Sequence, residues 1–280
     1  MKAVWQLLRL EHGIMYGIGV LVGIYIADQS YNDFLRIVFG FLTALFLQAS
    51  AFALNDYLDY EVDLVNERFD RPLVRGELKR SHALILALLL LPFGLVSASL
   101  ISPTALTFAL VMVLAGYLYD FKLKEYGFIG NVYIALSMAA PFAFGSIVAL
   151  DKITNSVLLL SLIAFLSGLG REIMKGIEDV RGDSIRNVRS IARVKGLKFA
   201  SRLSATLFLL AVVLSFLPVL FIKNYFDVKY IIPIFVADVL FVYTAFKLVK
   251  EYDKESIKRY RKNTLIAMSF GLIGFLIGAF

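Results

Sequence analysis

The sequence predicts an all-α, polytopic membrane protein, and three observations predict it. Of 280 residues, 59% are apolar and 18% charged, with a strongly positive mean hydropathy, a balance that a soluble core does not explain. Apolar runs about long enough to cross a ~30 Å hydrocarbon layer, which takes roughly 20 helical residues, recur along the chain. Lys and Arg are concentrated in alternate loops.

The elements follow in order. Residues 1–12 form an amphipathic lead carrying Trp5 and Arg9, suited to a membrane interface. Nothing in the lead resembles a small-residue cleavage pattern, so the first apolar run, 13–27, is expected to be a retained span. A second span, 34–54, runs directly into an acidic stretch. The polar segment 55–81 carries five Lys and Arg, with Pro72 and Gly76 as turn residues. Spans 82–101 and 104–119 are separated only by Ser102-Pro103 and are expected to form a helical hairpin. The fifth span, 128–150, contains Pro141, which membrane helices tolerate and which often marks a kink or a site-lining segment. Span 153–170 leads into a second acidic stretch and a basic tract. Spans 203–222, 230–246 and 263–280 complete a count of nine, with a charged loop at 247–262.

Nine spans put the N-terminus and the loops after even-numbered spans on one side. That side holds 25 of the 29 Lys and Arg. The positive-inside rule makes it cytoplasmic and places the N-terminus inside. The net charge of +7 is thereby a matter of topology rather than nucleic-acid binding. The chain has no cysteine, which excludes disulfides and thiolate chemistry. His12 and His82 stand alone in sequence and read as structural.

The chemistry-bearing stretches are Asn55-Asp56-Tyr57-Leu58-Asp59-Tyr60-Glu61-Val62-Asp63 and Arg171-Glu172-Ile173-Met174-Lys175-Gly176-Ile177-Glu178-Asp179-Val180-Arg181-Gly182-Asp183. On a helix, Asp56, Asp59 and Asp63 share a face, as do Asp179 and Asp183. Like charges at the negative end of a helix dipole call for a cation. Oxygen donors without Cys or paired His favour a hard ion such as Mg²⁺, which bridges carboxylates to substrate phosphates. Both stretches, and segment 119–124, fall on the same side, each acidic stretch after an even-numbered span, which hints at two related halves. Metal-holding carboxylates at a membrane surface suit a diphosphate leaving group, and Arg9, Arg68, Arg71, Lys122, Lys124, Arg171, Lys175 and Arg181 are candidate phosphate partners. Tyr57 and Tyr119 are candidate cavity walls for an allylic cation.

Asn55-Asp56-x-x-Asp59-x-x-x-Asp63, then Asn66-x-Arg68, Arg71-Pro72 and Gly76, Tyr119-x-x-Lys122 and Asp179-x-x-x-Asp183, resemble the motifs of UbiA-type intramembrane prenyltransferases across the whole chain. The resemblance implies a single domain, 1–280, of nine helices around a central cavity, with Mg²⁺ and an isoprenyl diphosphate at the acidic motifs and the prenyl tail in an apolar tunnel. It implies that Asn55, Asp56, Asp59 and Asp63 serve one metal and Asp179 and Asp183 another. Arg9, Tyr119 and Lys122 match its diphosphate contacts. Many members carry a further Asp where this chain has Gly176, leaving Glu172, Glu178 or water to fill in. The second motif is most similar to archaeal digeranylgeranylglyceryl phosphate synthases, implying an acceptor, 3-O-geranylgeranylglyceryl phosphate, whose phosphate suits Arg171, Lys175 and Arg181. An aromatic, quinone-precursor acceptor and, more distantly, a cation transporter are the alternatives. No obligate protein partner is implied, and the site is expected to face the cytoplasm.

Overall fold

The computed structural model describes residues 1–180, 188–221 and 225–278. Among the described residues every regular element is helical: α1 (Lys2–Leu8), α2 (Leu10–Ala27), α3 (Phe34–Leu58), α4 (Tyr60–Val65), α5 (Arg80–Ser99), α6 (Pro103–Phe121), a 3₁₀ turn (Leu123–Tyr126), α7 (Phe128–Leu150), α8 (Asn155–Glu178), α9 (Ile191–Lys195), α10 (Leu197–Ser215), α11 (Leu217–Phe221), α12 (Val228–Lys250) and α13 (Lys254–Gly278). Eight of these segments are long and apolar enough to cross a membrane, α10 and α11 counting together. The expected last span, 263–280, falls on α13 as far as Gly278, and α13 is not one of the eight. That helix starts earlier than the sequence suggests because the charged stretch 247–262 is mostly helix. Asp253 starts it, its carboxylate accepting from the Glu255 and Ser256 amides at 3.1 and 3.1 Å. Lys254, Lys258, Arg259, Arg261 and Lys262 then line its first turns.

The predicted hairpin forms for a local reason. Ser102 caps α6 by accepting from the Ala105 amide at 3.1 Å, and Pro103 occupies the first turn, where its missing N–H costs nothing. Helix α5 packs on α3, α3 on α2, and α2 on α7. Helices α7, α8, α10, α12 and α13 follow in sequence, and α13 touches α8 and α2 to close the bundle. Lipid tails are as apolar as the helix faces, so packing and interhelical hydrogen bonds hold such a bundle. Ser50 Oγ donates to the Ala87 carbonyl at 2.8 Å between α3 and α5. Ser204 Oγ donates to the Gly170 carbonyl at 2.6 Å between α10 and α8.

Helices α2 and α7 approach each other closely, backbone to backbone. A Cβ on Gly23 would overlap the Phe142 carbonyl, and one on Gly145 would overlap the Val20 carbonyl. These two glycines set the distance between the helices. Gly145→Val is expected to lower the melting temperature of the detergent-solubilised protein, since overpacking typically costs about 1–3 kcal/mol. Gly271, beside which a Cβ meets nothing, provides the control substitution.

The two ends of the bundle are chemically distinct. At one, Arg36 donates to the Ile101 carbonyl at 2.7 Å and to Asp151 at 3.3 Å, tying the start of α3 to the ends of α5 and α7. At the other, α3, α6 and α8 finish in acidic residues.

Candidate active site at the acidic ends of α3, α6 and α8

Helix α3 runs four residues further than the apolar run alone suggests, so Asn55 and Asp56 sit in its last turn. Asp59 caps it with near-helical backbone, and the Asp63 amide still bonds the Asp59 carbonyl at 2.8 Å, which carries the acidic face into α4. Asp56 is 2% exposed and Asp63 6%. Buried carboxylates need partners, and the chain supplies cations. Asp56 Oδ1 accepts from Arg9 Nη2 at 2.7 Å and from Arg71 Nη1 at 2.8 Å. Arg71 Nε lies 3.8 Å from Asp63 Oδ2.

Arg9 reaches Asp56 because the chain bends at that residue. It takes the left-handed conformation (φ 44°, ψ 53°) between α1 and α2, a region uncommon for a residue with a Cβ. Its guanidinium lies over the Phe52 ring, 4.2 Å from the centroid. Strain of this kind persists where surrounding contacts impose it. Arg68, by contrast, is held bidentately by Asp70 at 2.9 and 2.9 Å, which keeps the Asp70 carboxyl below its usual range.

Helix α6 and the 3₁₀ turn after it each contribute a residue that the motifs do not reveal as a pair. Asp120, 7% exposed, accepts from Asn55 Nδ2 at 2.9 Å, and the same amide donates to Asp59 Oδ2 at 3.1 Å. Lys124 Nζ pairs with Asp59 Oδ1. Lys122 is exposed and stands at the cap of α6, away from the cavity, while Lys124 and Tyr119 line it. Tyr119 stacks on Tyr133 with centroids 4.9 Å apart. Tyr57 lies instead against the Arg80 guanidinium, outside the cavity wall. His12 does line the cavity, edge-on to Phe52; His82 Nδ1 accepts from the Lys79 amide at the start of α5. The exchange of Lys124 for Lys122 has a direct consequence. Lys122→Ala is expected to leave turnover within about twofold, and Lys124→Ala to lower it roughly tenfold or more, about 1.4 kcal/mol in the barrier; steady-state assays of the two variants check this.

The second acidic stretch arrives on α8. Asp179 caps the helix and lines the same cavity; Asp183 and Arg181 lie outside the described residues. Gly176 also lines the cavity, and a Cβ there would make only an ordinary 3.8 Å contact with Ser190. Glu178 is engaged by Arg261 at 2.7 Å. Glu172, 9% exposed, lies 3.3 Å from Lys175 Nζ and 3.8 Å from Arg171 Nη1. Arg171 Nε is buried without a hydrogen-bond partner.

One cavity of about 2140 Å³ joins these groups. Arg9, Asp59, Asp63, Arg68, Arg71 and Lys124 line it on the α3 side and Arg171, Glu172, Lys175 and Asp179 on the α8 side. Its apolar part runs inward past Met138, Pro141, Phe142, Ile163, Phe241 and Phe275. Sites for a single small ligand usually enclose about 300–1,000 Å³, so this chamber has room for more than one. The donor set fits a hard divalent ion: it is all oxygen, and Asp56 Oδ2 is buried with no hydrogen-bond partner. Among the described residues no three acidic or histidine side chains form a closed metal cage. Mg²⁺ does not require one, since it takes one or two carboxylates and fills its shell with water and substrate phosphate.

An acidic, arginine-lined head site opening into an apolar chamber between membrane helices defines a class, and the chain belongs to it. Residues 17–273 match the UbiA prenyltransferase family, and the protein is a member of that family. It is similar to the digeranylgeranylglyceryl phosphate synthase of Archaeoglobus fulgidus, 56% identical over 281 aligned residues that cover 100% of this chain and 96% of that protein. The synthase of the same description from Methanocaldococcus jannaschii is 34% identical over 100% of this chain and 96% of its own length. A solved chain from work on digeranylgeranylglyceryl phosphate synthase in membranes shares the fold, with a TM-score of 0.83 at 34% identity over 99% of this chain and 98% of that one. A UbiA homolog from Archaeoglobus fulgidus, solved with GPP and Mg²⁺, has a TM-score of 0.67 at 17% identity, over 98% of this chain and 99% of that one, which speaks for the fold.

Proposed function

We propose that this prenyltransferase moves a geranylgeranyl group from geranylgeranyl diphosphate to the free hydroxyl of 3-O-geranylgeranylglyceryl phosphate, giving digeranylgeranylglyceryl phosphate for archaeal ether lipids. The observation that carries the reading is the single cavity with two cationic head sites and one long apolar chamber. Arg9, Arg71 and Lys124 surround the first head site, Arg171 and Lys175 the second. A donor with a diphosphate head and an acceptor with its own phosphate need such an arrangement, whereas an aromatic acceptor needs no second phosphate pocket. The full-length similarity to synthases of that description supports the same choice.

Asn55, Asp56, Asp59 and Asp63 would hold one Mg²⁺, and Asp179 with Asp183 the other. When bound, Mg²⁺ neutralises the diphosphate and lowers the barrier to leaving-group departure. The chain's own residues do the rest. Arg9, Arg71 and Lys124 face the cavity where diphosphate oxygens would lie and add fixed positive charge. Asn55 fixes the orientation of Asp59 and Asp120 by donating to both. The stacked Tyr119–Tyr133 pair offers aromatic surface to an allylic cation, and the apolar walls exclude water from it.

The domain extends over 1–280 as nine membrane helices, with α13 as the ninth. Its N-terminus and head sites face the cytoplasm of the cell membrane, a reading that the distribution of Lys and Arg supports. No obligate protein partner enters this reading. The test is a Mg²⁺-dependent assay of the purified protein with radiolabelled geranylgeranyl diphosphate, offering geranylgeranylglyceryl phosphate and 4-hydroxybenzoate separately. Transfer to the glyceryl phosphate alone is expected. Transfer only to the aromatic acid would overturn the acceptor.

A further inference from the structure

Joining an alcohol to a prenyl carbon releases a proton as well as diphosphate, and the acidic motifs assigned above account for only the second. We propose that Glu172 is the proton acceptor for the acceptor's hydroxyl. The proposal rests on the reading that the acceptor is a phosphate-bearing alcohol.

The other carboxylates at the acidic ends of α3, α6 and α8 have assigned roles or partners. Asp56 and Asp63 lie against Arg71, with Arg9 also on Asp56, and Asp59 is held by Lys124 and Asn55. Asp120 is held by Asn55 and Glu178 by Arg261. Glu172 is different: it is buried, it lines the cavity, and its cations are the pair assigned to the acceptor's phosphate. Arg171 still has a buried Nε with no hydrogen-bond partner, so this guanidinium has capacity for another anion. A phosphate taking up Arg171 and Lys175 would draw both cations off Glu172 and leave its oxygens open. In a glycerol phosphate the free hydroxyl sits on a carbon adjacent to the one bearing the phosphoester. Holding the phosphate at Arg171 and Lys175 therefore brings that hydroxyl beside Glu172.

Glu172 also shares its cavity with the donor's side of the site: Tyr119, Asp59 and Asp120 line the same space. Glu172 and the diphosphate site thus open on one chamber, which the reacting carbon must occupy. The step balances. The C1–O bond of the donor breaks with its electron pair leaving on diphosphate, a lone pair of the acceptor oxygen forms the new C–O bond, and the hydroxyl proton moves to a Glu172 carboxylate oxygen, later to be lost to water.

Glu172→Gln keeps the shape and removes the base, and Glu172→Asp keeps the carboxylate, serving as the control should the neutral variant fold poorly. Both are assayed with geranylgeranyl diphosphate and geranylgeranylglyceryl phosphate beside the wild type. Positioned proton transfer contributes typically 10²–10⁴-fold. Glu172→Gln is expected to lose on the order of a hundredfold or more in kcat, with KM for both substrates within about threefold, and Glu172→Asp to retain much more kcat than Glu172→Gln. A Glu172→Gln enzyme with wild-type kcat, a loss confined to the acceptor's KM, or equal losses in both variants would overturn the assignment. A wild type that transfers to no phosphate-bearing alcohol would instead overturn the acceptor reading.

Discussion

Asp59→Ala is expected to abolish transfer while leaving the bundle folded. Asp59 is about one-third exposed at the cavity wall, its neighbours are the Lys124 amine and the Asn55 amide, and it is a helix cap rather than a core residue. Losing it removes one of the carboxylates proposed to hold Mg²⁺ and frees Lys124. A loss of roughly a thousandfold or more in kcat/KM, about 4 kcal/mol of transition-state stabilisation, should accompany a melting temperature within a few degrees of wild type. Turnover assays and thermal unfolding in the same detergent check the two halves of this expectation. A fully active variant would remove the metal role of the first motif.

Asp56→Ala is expected to cost both activity and stability. Its carboxylate is the buried anion between two guanidiniums, Arg9 at 2.7 Å and Arg71 at 2.8 Å. Truncating it takes the carboxylate partner from Arg9 and leaves Arg71 only the looser contacts with Asp63 and Asp70, at 3.8 and 3.7 Å. Removing one member of a buried ion pair typically costs about 3–5 kcal/mol, because the remaining charge is uncompensated. The melting temperature should therefore fall much further than for Asp59→Ala. Adding Arg9→Ala to Asp56→Ala should restore part of the loss, since it removes one of the stranded charges; alanine keeps a Cβ, so the cost of the left-handed backbone at residue 9 stays. Independent, additive losses would show that Arg9 and Asp56 are not coupled.

These two neighbours behave differently for reasons that spacing alone does not show. The sequence places Asp56, Asp59 and Asp63 on one helical face, and the chain does run on helically through them. It does not say which is buried, because that depends on Arg9 arriving from the bend between α1 and α2. Segment 119–124 was legible as a candidate part of the site, and of its residues named from the sequence Tyr119 and Lys124 line the cavity while Lys122 does not. After Phe121 the backbone tightens into a 3₁₀ turn with three residues per turn, which leaves Lys122 exposed and aims Lys124 at Asp59. Asp120 carried one signal, an acid in the last turn of an otherwise apolar helix. The transmembrane helices were legible from apolar runs of sufficient length. The start of α13 was not, because a charged helical extension and a charged loop have the same composition, and only the Asp253 cap separates them.

The proposed hold of Arg171 and Lys175 on the acceptor's phosphate gives the most direct measurement. The comparison is kcat/KM of the wild-type enzyme for geranylgeranylglyceryl phosphate and for the same glyceryl ether without its phosphate, repeated with Arg171→Gln. The wild type should prefer the phosphorylated acceptor by about a hundredfold or more, equivalent to about 2.7 kcal/mol, and Arg171→Gln should erase most of that preference while barely changing the rate with the alcohol. Equal use of both acceptors by the wild type would contradict a cavity built for two anionic heads.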